Sequence, residues 1–329
     1  MAEPLDLIWT GRSLELAKMS ELNPYDWIGA TQADMIQFTR RQDRSLRQSY
    51  SGEPDLGLCA IMMVKDEADI ISHNIRHLYR VGFRRLAILD NGSSDQTAAI
   101  LRALRHSLAD MEILIIDDNS LAYMQSAKTT ALMQFANAFW PGLEWIFPID
   151  ADEFPCTEDG IHTLSLVPQD IDVLVIQKVN HCLLPVSLDL VLGDPFGRMP
   201  VRTDMGRQPP KVAIRAKRDV TITQGNHDAW PRTDRPLRYT GAFKYGLYLR
   251  EFQHRSFEQF KRKVINGGQA VRAAESAGAF LGGSHWTGWL AAYEQGGDEK
   301  LREAFMAAAI RPPEEMLFDP IAPIRDIRT

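Results

Sequence analysis

The chain has 329 residues, with 45% hydrophobic and 24% charged side chains, a globular balance that can bury a full core and excludes disordered and fibrous classes. A formal net charge of −6 and an isoelectric point near 5.8 offer no long nucleic-acid footprint, and the basic clusters Arg40-Arg41 and Lys261-Arg262-Lys263 read as solvated helix faces. Three scattered cysteines, Cys59, Cys156 and Cys182, make neither a disulfide framework nor a zinc site, and no run reaches the roughly 20 apolar residues that span a bilayer, so a cytoplasmic protein with no transmembrane segment is expected, with peripheral membrane contact through a partner left open.

Residues 1–54 read as a helical extension that ends at Glu53-Pro54, because a residue before proline is pushed out of the helical region. From Leu56 onward, short apolar runs alternate with helix-period segments. The runs Leu56 to Val64, Arg85 to Leu89, Met111 to Ile116, Trp145 to Ile149 and Val173 to Ile176 have the form of buried strands. Between them Ile71, Ile75 and Leu78 share one helical face, as do Leu101, Leu104 and Leu108, and Ala127, Ala131, Phe135 and Ala138. The alternation predicts an α/β fold with a doubly wound, mostly parallel, Rossmann-like sheet and helices on both faces. Ser93-x-x-Gln96 and Ser256-x-x-Gln259 have the capping-box form, with Ser93 as an N-cap and Gly92 supplying the tight turn before it. Leu184 to Pro210, with five prolines and three glycines, reads as a long loop of lid type. A strand over Lys211–Ile214, a polar turn at Gly225–Asp228 and a basic helix from Phe257 to about Ala274 follow.

Ligands of an open parallel sheet bind beyond the carboxyl ends of its strands, so the polar residues that follow each apolar run are the candidates for chemistry. Those ends are Val64-Lys65-Asp66-Glu67, Asp90-Asn91-Gly92-Ser93-Ser94-Asp95 and Asp150-Ala151-Asp152-Glu153. The last places three carboxylates within four residues, a crowding that costs free energy unless a cation or hydrogen bonds neutralise it. Mg²⁺ or Mn²⁺ bridging Asp150 and Asp152 to a diphosphate suits that motif. Asp90 is placed to accept hydrogen bonds from a base or ribose. Lys128, on the helix before the acidic strand, is either solvated or directed at a phosphate. His227 is either structural or acceptor-lining, and His285 beside Trp286 is either packed or sugar-facing. No glycine-rich dinucleotide or P-loop motif follows any strand.

Taken together in this order, Val64-Lys65-Asp66-Glu67, His77-Leu78, Val81-Gly82-Phe83, Leu89 to Asp95 and Phe147 to Phe154 resemble the glycosyltransferase family 2-like proteins of the GT-A fold, in the branch whose motifs read KNE, DNGSSD and D-x-DEF. The resemblance covers roughly Leu56 to Ala274. It implies a nucleotide-sugar-binding half over 55–180 and an acceptor-binding half over 181–329 with the lid loop and C-terminal helices. Lys65, Asp66, Glu67 and Asp90 then contact the nucleotide, with Asp66 standing where Asn is commoner. Asp150 lies near the ribose or the metal, Asp152 ligates the metal, and His254 adds a further metal or diphosphate ligand. The implied reaction is metal-dependent, inverting transfer of a sugar, UDP-linked by preference, to a carbohydrate or glycoconjugate hydroxyl. A carboxylate base is needed, with Asp228, Asp194 and Asp204 as candidates. The alternatives are a sugar-phosphate nucleotidyltransferase and a non-catalytic nucleotide- or carbohydrate-binding module.

Overall fold

A computed structural model of the chain describes residues 7–8, 55–120, 124–157, 161–184, 195–205, 208–276 and 284–319. The fold is mixed α/β, with one large, mostly parallel sheet flanked by helices and a smaller sheet beside it. Strand β1 (Leu7–Ile8) pairs parallel with β4, at the large sheet's edge; the rest of the expected N-terminal helical extension lies outside the described residues.

The chain enters the middle of the large sheet through β2 (Leu58–Val64), crosses α1 (Ile71–Arg80) to β3 (Arg85–Asp90), and crosses α2 (Thr97–Ser107) to β4 (Glu112–Asp117). It then returns through α3 (Gln125–Phe139) to β5 (Trp145–Pro148), which lies on the other side of β2. The order β4-β3-β2-β5 is parallel throughout, so winding direction reverses between β2 and β5, where a doubly wound sheet opens a crevice. Side-chain alternation divides the interior into two cores: Leu58, Ala60 and Met62 face α1 and α2, while Cys59, Ile61 and Leu89 face α3. Cys59 is thus an inert core residue, its thiol pKa raised by burial. In α1 the buried set Ile71, Asn74, Ile75 and Leu78 keeps the spacing that marks the helix in the sequence.

The small sheet begins where the acidic motif ends. Strand β6 (Glu153–Thr157) follows β5 after only the joint Ile149–Asp152, yet it belongs to the second sheet. The chain repeats the transfer between β7 (Val173–Ile176), in the large sheet, and β8 (Lys178–Cys182), in the small one. Within the expected lid loop the described residues contain a short helix α4 (Pro195–Arg198) and a strand β9 (Val201–Arg202) that pairs with β8. Strand β10 (Lys211–Arg215) inserts antiparallel between β5 and β7. The hairpin β11 (Val220–Ile222) and β12 (Ala229–Pro231), the edge strand β13 (Tyr239–Gly241) and β14 (Leu247–Glu251) follow. Helices α5 (Phe257–Ser276) and α6 (Ser284–Ala309) pack on each other before β15 (Leu317–Phe318), which pairs with β9. Both sheets draw strands from either side of residue 180, so the two halves interleave.

One local expectation is corrected. Helix α2 starts at Thr97 with Gln96 as its N-cap, not Ser93; Ser93 Oγ instead accepts the Asp66 N–H at 3.0 Å, and Asp95 Oδ1 accepts the Thr97 N–H at 2.8 Å. An acidic side chain competing for the first-turn donor displaces the cap by one turn. Gly92 does take the left-handed backbone expected of it, with φ +68°. In the second box only half forms, Ser256 Oγ accepting the Gln259 N–H at 3.2 Å while Gln259 Oε1 takes the Arg255 N–H.

Candidate functional site: the crevice at the sheet joint

Beyond the ends of β2 and β5 the described residues enclose a crevice of about 200 Å³. One wall is Lys65–Glu67 with Asn91, the floor is Asp150–Asp152 with Gln125, and the opposite wall is the face of α5 bearing Arg262, Lys263, Asn266 and Gly267, closed by Trp286 of α6. Asp150 and Asp152 therefore share the crevice, as their place after a central parallel strand predicts.

The β2 end is a stapled turn. Asp66 adopts φ +54°, a left-handed conformation that Asp and Asn tolerate better than other side chains, which gives a backbone reason for an Asx residue here. Its Oδ1 accepts the Ser94 N–H at 2.6 Å and the Asp95 N–H at 3.2 Å, and its Oδ2 accepts Asn266 Nδ2 at 2.7 Å. Burial pushes this carboxyl up, but those donors win and hold it below its usual value. Asp66 thus ties the first two strand ends to α5. Lys65, a lining residue, donates through Nζ to the Asn91 and Gly92 carbonyls at 2.9 and 3.2 Å, both neutral acceptors.

At the joint each acid carries a cation. Lys211 Nζ lies 2.7 Å from Asp150 Oδ2 and 3.0 Å from Glu153 Oε1, with the lysine side chain only 3% exposed. Lys263 Nζ lies 2.8 Å from Asp152 Oδ2 and 3.0 Å from Glu67 Oε1. Arg255, buried beneath them, pairs with Glu67 at 2.7 Å and Asp69 at 2.7 Å and stands 3.6 Å from Asp152. Burial opposes ionisation of Asp152, yet Lys263 and Arg255 pull its carboxyl well below the ordinary range. Glu153 goes the other way: burial, only partly offset by Lys211 and aggravated by Asp150, raises it to about 7. Its stabilising share is present below the ordinary value of 4.5 and is lost as pH rises through about 7. Urea denaturation at pH 5 and pH 8 should accordingly reveal a loss on the order of 2–3 kcal/mol in the parent that Glu153→Gln, always neutral, lacks. Identical pH slopes for the two proteins would remove Glu153 from this role.

The other sequence candidates sit elsewhere. Asp90 is buried, and its Oδ1 accepts the Ser93 N–H at 2.9 Å, closing the turn; its neighbour Asn91 is the residue that lines the crevice. Lys128 is buried in an ion pair with Asp118 and is not among the lining residues. His254 packs edge-on to Phe260 and Trp289, and burial, with Lys263 adding to it, lowers it to about 3, so the ring is neutral. Asp228 accepts the Ala229 N–H at 2.7 Å and the Tyr239 hydroxyl at 3.1 Å, and is not part of the lining. His227 Nδ1 contacts the Pro210 carbonyl at 2.8 Å, His285 packs on Trp286 and Trp289, Asp204 is exposed, and Asp194 lies outside the described residues.

Sequence reasoning missed the cations. The 261–263 cluster is not a uniformly solvated face: Lys263 turns inward, and Lys263, Asn266, Gly267 and Ala270 line the crevice at the 3-1-3 spacing of one helical face. That spacing was a usable signal. Gly267 is flush against the indole, since a β-carbon there would stand 2.9 Å from Trp286 Cδ2. Lys211, read only as the start of a strand, gave no signal of its own.

The expected metal set of Asp150, Asp152 and His254 does not fit this arrangement. No group of three or more His, Cys, Asp or Glu able to hold a metal ion occurs among the described residues, and the two aspartates that reach the crevice are already neutralised by lysines. No helix among the described residues is long and apolar enough to cross a membrane.

A scan of the sequence against protein families finds no match, and neither does a search of curated proteins. Among solved structures, the chain is similar to residues 1–349 of TarS from S. aureus, at 11% identity and TM-score 0.36 over 64% of each chain, just under two thirds of that length. It is also similar to the mannosyltransferase PcManGT from Pyrobaculum calidifontis, solved with GDP-Man and Mn²⁺, at 14% identity and TM-score 0.29 over 88% of each chain. Likenesses this remote carry nothing about the site or the reaction.

Proposed function

We propose that the chain is a glycosyltransferase that moves a sugar from a nucleoside-diphosphate donor to a hydroxyl of a carbohydrate or glycoconjugate. The observation that carries this reading is the convergence of Lys65, Asn91, Asp150, Lys263 and Trp286 on one crevice at the point where the sheet's winding reverses. Lysines placed there suit a diphosphate. The partly exposed carboxylate of Asp150, 33% exposed and oriented by the Gln125 amide at 3.3 Å, suits a ribose or sugar hydroxyl. The flat face of Trp286 suits a ring. Sugar transfer builds negative charge on the departing nucleoside diphosphate, and fixed cations beside it lower the barrier.

The motif resemblance extends the proposal to a uridine-linked donor and to inversion, which requires a carboxylate base on the acceptor side. Asp228, the sequence candidate for that base, accepts the Tyr239 hydroxyl and is not part of the crevice lining, so acceptor activation at Asp228 requires the acceptor to reach outside that lining. A divalent ion belongs to the same resemblance; because the donor set does not fit one, no step is assigned to it.

Incubation with a panel of nucleotide sugars, read by chromatography for free nucleoside diphosphate, tests the reading. One donor should be consumed, and Asp150→Asn should slow its consumption by about 10- to 100-fold. Nucleoside diphosphate formation from none of the donors, with or without sugar acceptors and Mn²⁺, contradicts it.

A further inference from the structure

The acidic motif and its partners have a charge balance that a metal-binding motif lacks. Ammonium groups stand 2.7 Å from Asp150 Oδ2 and 2.8 Å from Asp152 Oδ2, so a divalent cation shared by these acids would be left with their Oδ1 atoms and two cations beside it. Lys211 is held away from water, because it is 3% exposed, lies on a strand between two others, and also contacts Glu153 Oε1 at 3.0 Å. Cations crowded beside a metal repel it, and the repulsion is strong where burial lowers the local dielectric. Three cations stand on the crevice wall among the acids Asp66, Glu67, Asp150, Asp152 and Glu251. Lys263 is 22% exposed and turned inward, Lys65 rests on two carbonyls, and Arg262 is exposed on the same wall.

We infer, resting on the reading of this crevice as a nucleotide-sugar site, that Lys263, Lys65 and Arg262 take the place of a divalent cation and hold the donor's diphosphate by direct ion pairs. Asp152 and Glu67 then serve as positioning residues: they fix the Lys263 ammonium at the crevice wall instead of ligating a metal. Lysine acts on phosphate as a point charge and needs no fork geometry, which suits a site where the ammonium already has two carboxylate contacts.

The test is calorimetric titration of the full chain with UDP, GDP, ADP, CDP and TDP, each in excess chelator and each with Mn²⁺. The nucleotide that binds should do so in chelator within about threefold of its affinity with Mn²⁺, a difference below 1 kcal/mol. Lys263→Gln should weaken it by roughly tenfold in chelator. Since Lys263→Gln can unsettle the acids beside it, Arg262→Gln, at an exposed position, provides a second reading with an expected loss of about three- to tenfold. Saturable binding only when Mn²⁺ is present overturns the inference and leaves the proposed function standing. Binding of no nucleoside diphosphate under either condition overturns both. Unchanged affinity in chelator for both variants overturns the assignment of these cations.

Discussion

Replacing Arg255 by methionine is expected to lower the free energy of unfolding by about 3–5 kcal/mol. The guanidinium is 2% exposed, donates through Nε and Nη2 to Asp69 at 2.7 and 2.9 Å, reaches Glu67 Oε2 at 2.7 Å, and donates through Nη1 to the Phe252 carbonyl at 2.8 Å. Burial works against its charge, but Glu67 and Asp69 hold its pKa above the ordinary arginine value. Methionine fills much of the volume, removes the Asp69 ion pair and leaves Glu67 and Asp152 to share Lys263 alone. Lysine at 255 should recover only part of the loss, because it cannot make the fork to Asp69. Chemical denaturation of the three proteins measures this. A loss below about 1 kcal/mol for the methionine variant would mean that the acids are neutralised without Arg255.

The largest effect on turnover is expected at Lys263. If its ammonium faces the departing diphosphate, it gains more in the transition state than in the bound ground state, so Lys263→Met should reduce kcat by about 100-fold. KM should rise by less, roughly tenfold, and Lys263→Arg should restore part of kcat. A merely structural lysine predicts another pattern: kcat preserved per folded molecule, with a lower denaturation midpoint as the sole defect. Steady-state kinetics on the consumed donor, normalised to folded protein, separates the two.

The large sheet was legible in the sequence because its strands are continuous apolar runs and α1 and α2 keep one buried stripe, whereas α3 is buried on nearly every side and its expected face leaves Ala138 only half-buried. The acidic joint was legible for the same reason, as polar residues closing a buried run. The small sheet was not. Its strands, such as Lys178–Cys182 and Glu153–Thr157, mix charged and apolar side chains over five residues each and acquire partners only from distant chain segments. The cations of the site were hidden for the same reason. Asp150 and Asp152 looked bare in the sequence because Lys211 and Lys263 arrive from 61 and 111 residues away. Long-range pairing leaves no local pattern, so three acids in four residues gave no sign of the ammonium groups that the fold brings to them. Asp66 illustrates the converse, since its left-handed backbone and its bonds to Ser94, Asp95 and Asn266 explain an Asx residue before any ligand is considered.

All of this depends on the crevice between the ends of β2 and β5 being where a nucleoside diphosphate lies. A crystal structure of the chain soaked with the nucleotide that binds tests that directly. Phosphate oxygens are expected within hydrogen-bonding distance of Lys263 and Lys65, with the nucleotide running along the α5 face past Asn266 and Trp286. Phosphates seated elsewhere, with Lys263 still closed on Asp152 and the crevice filled by solvent, would contradict it.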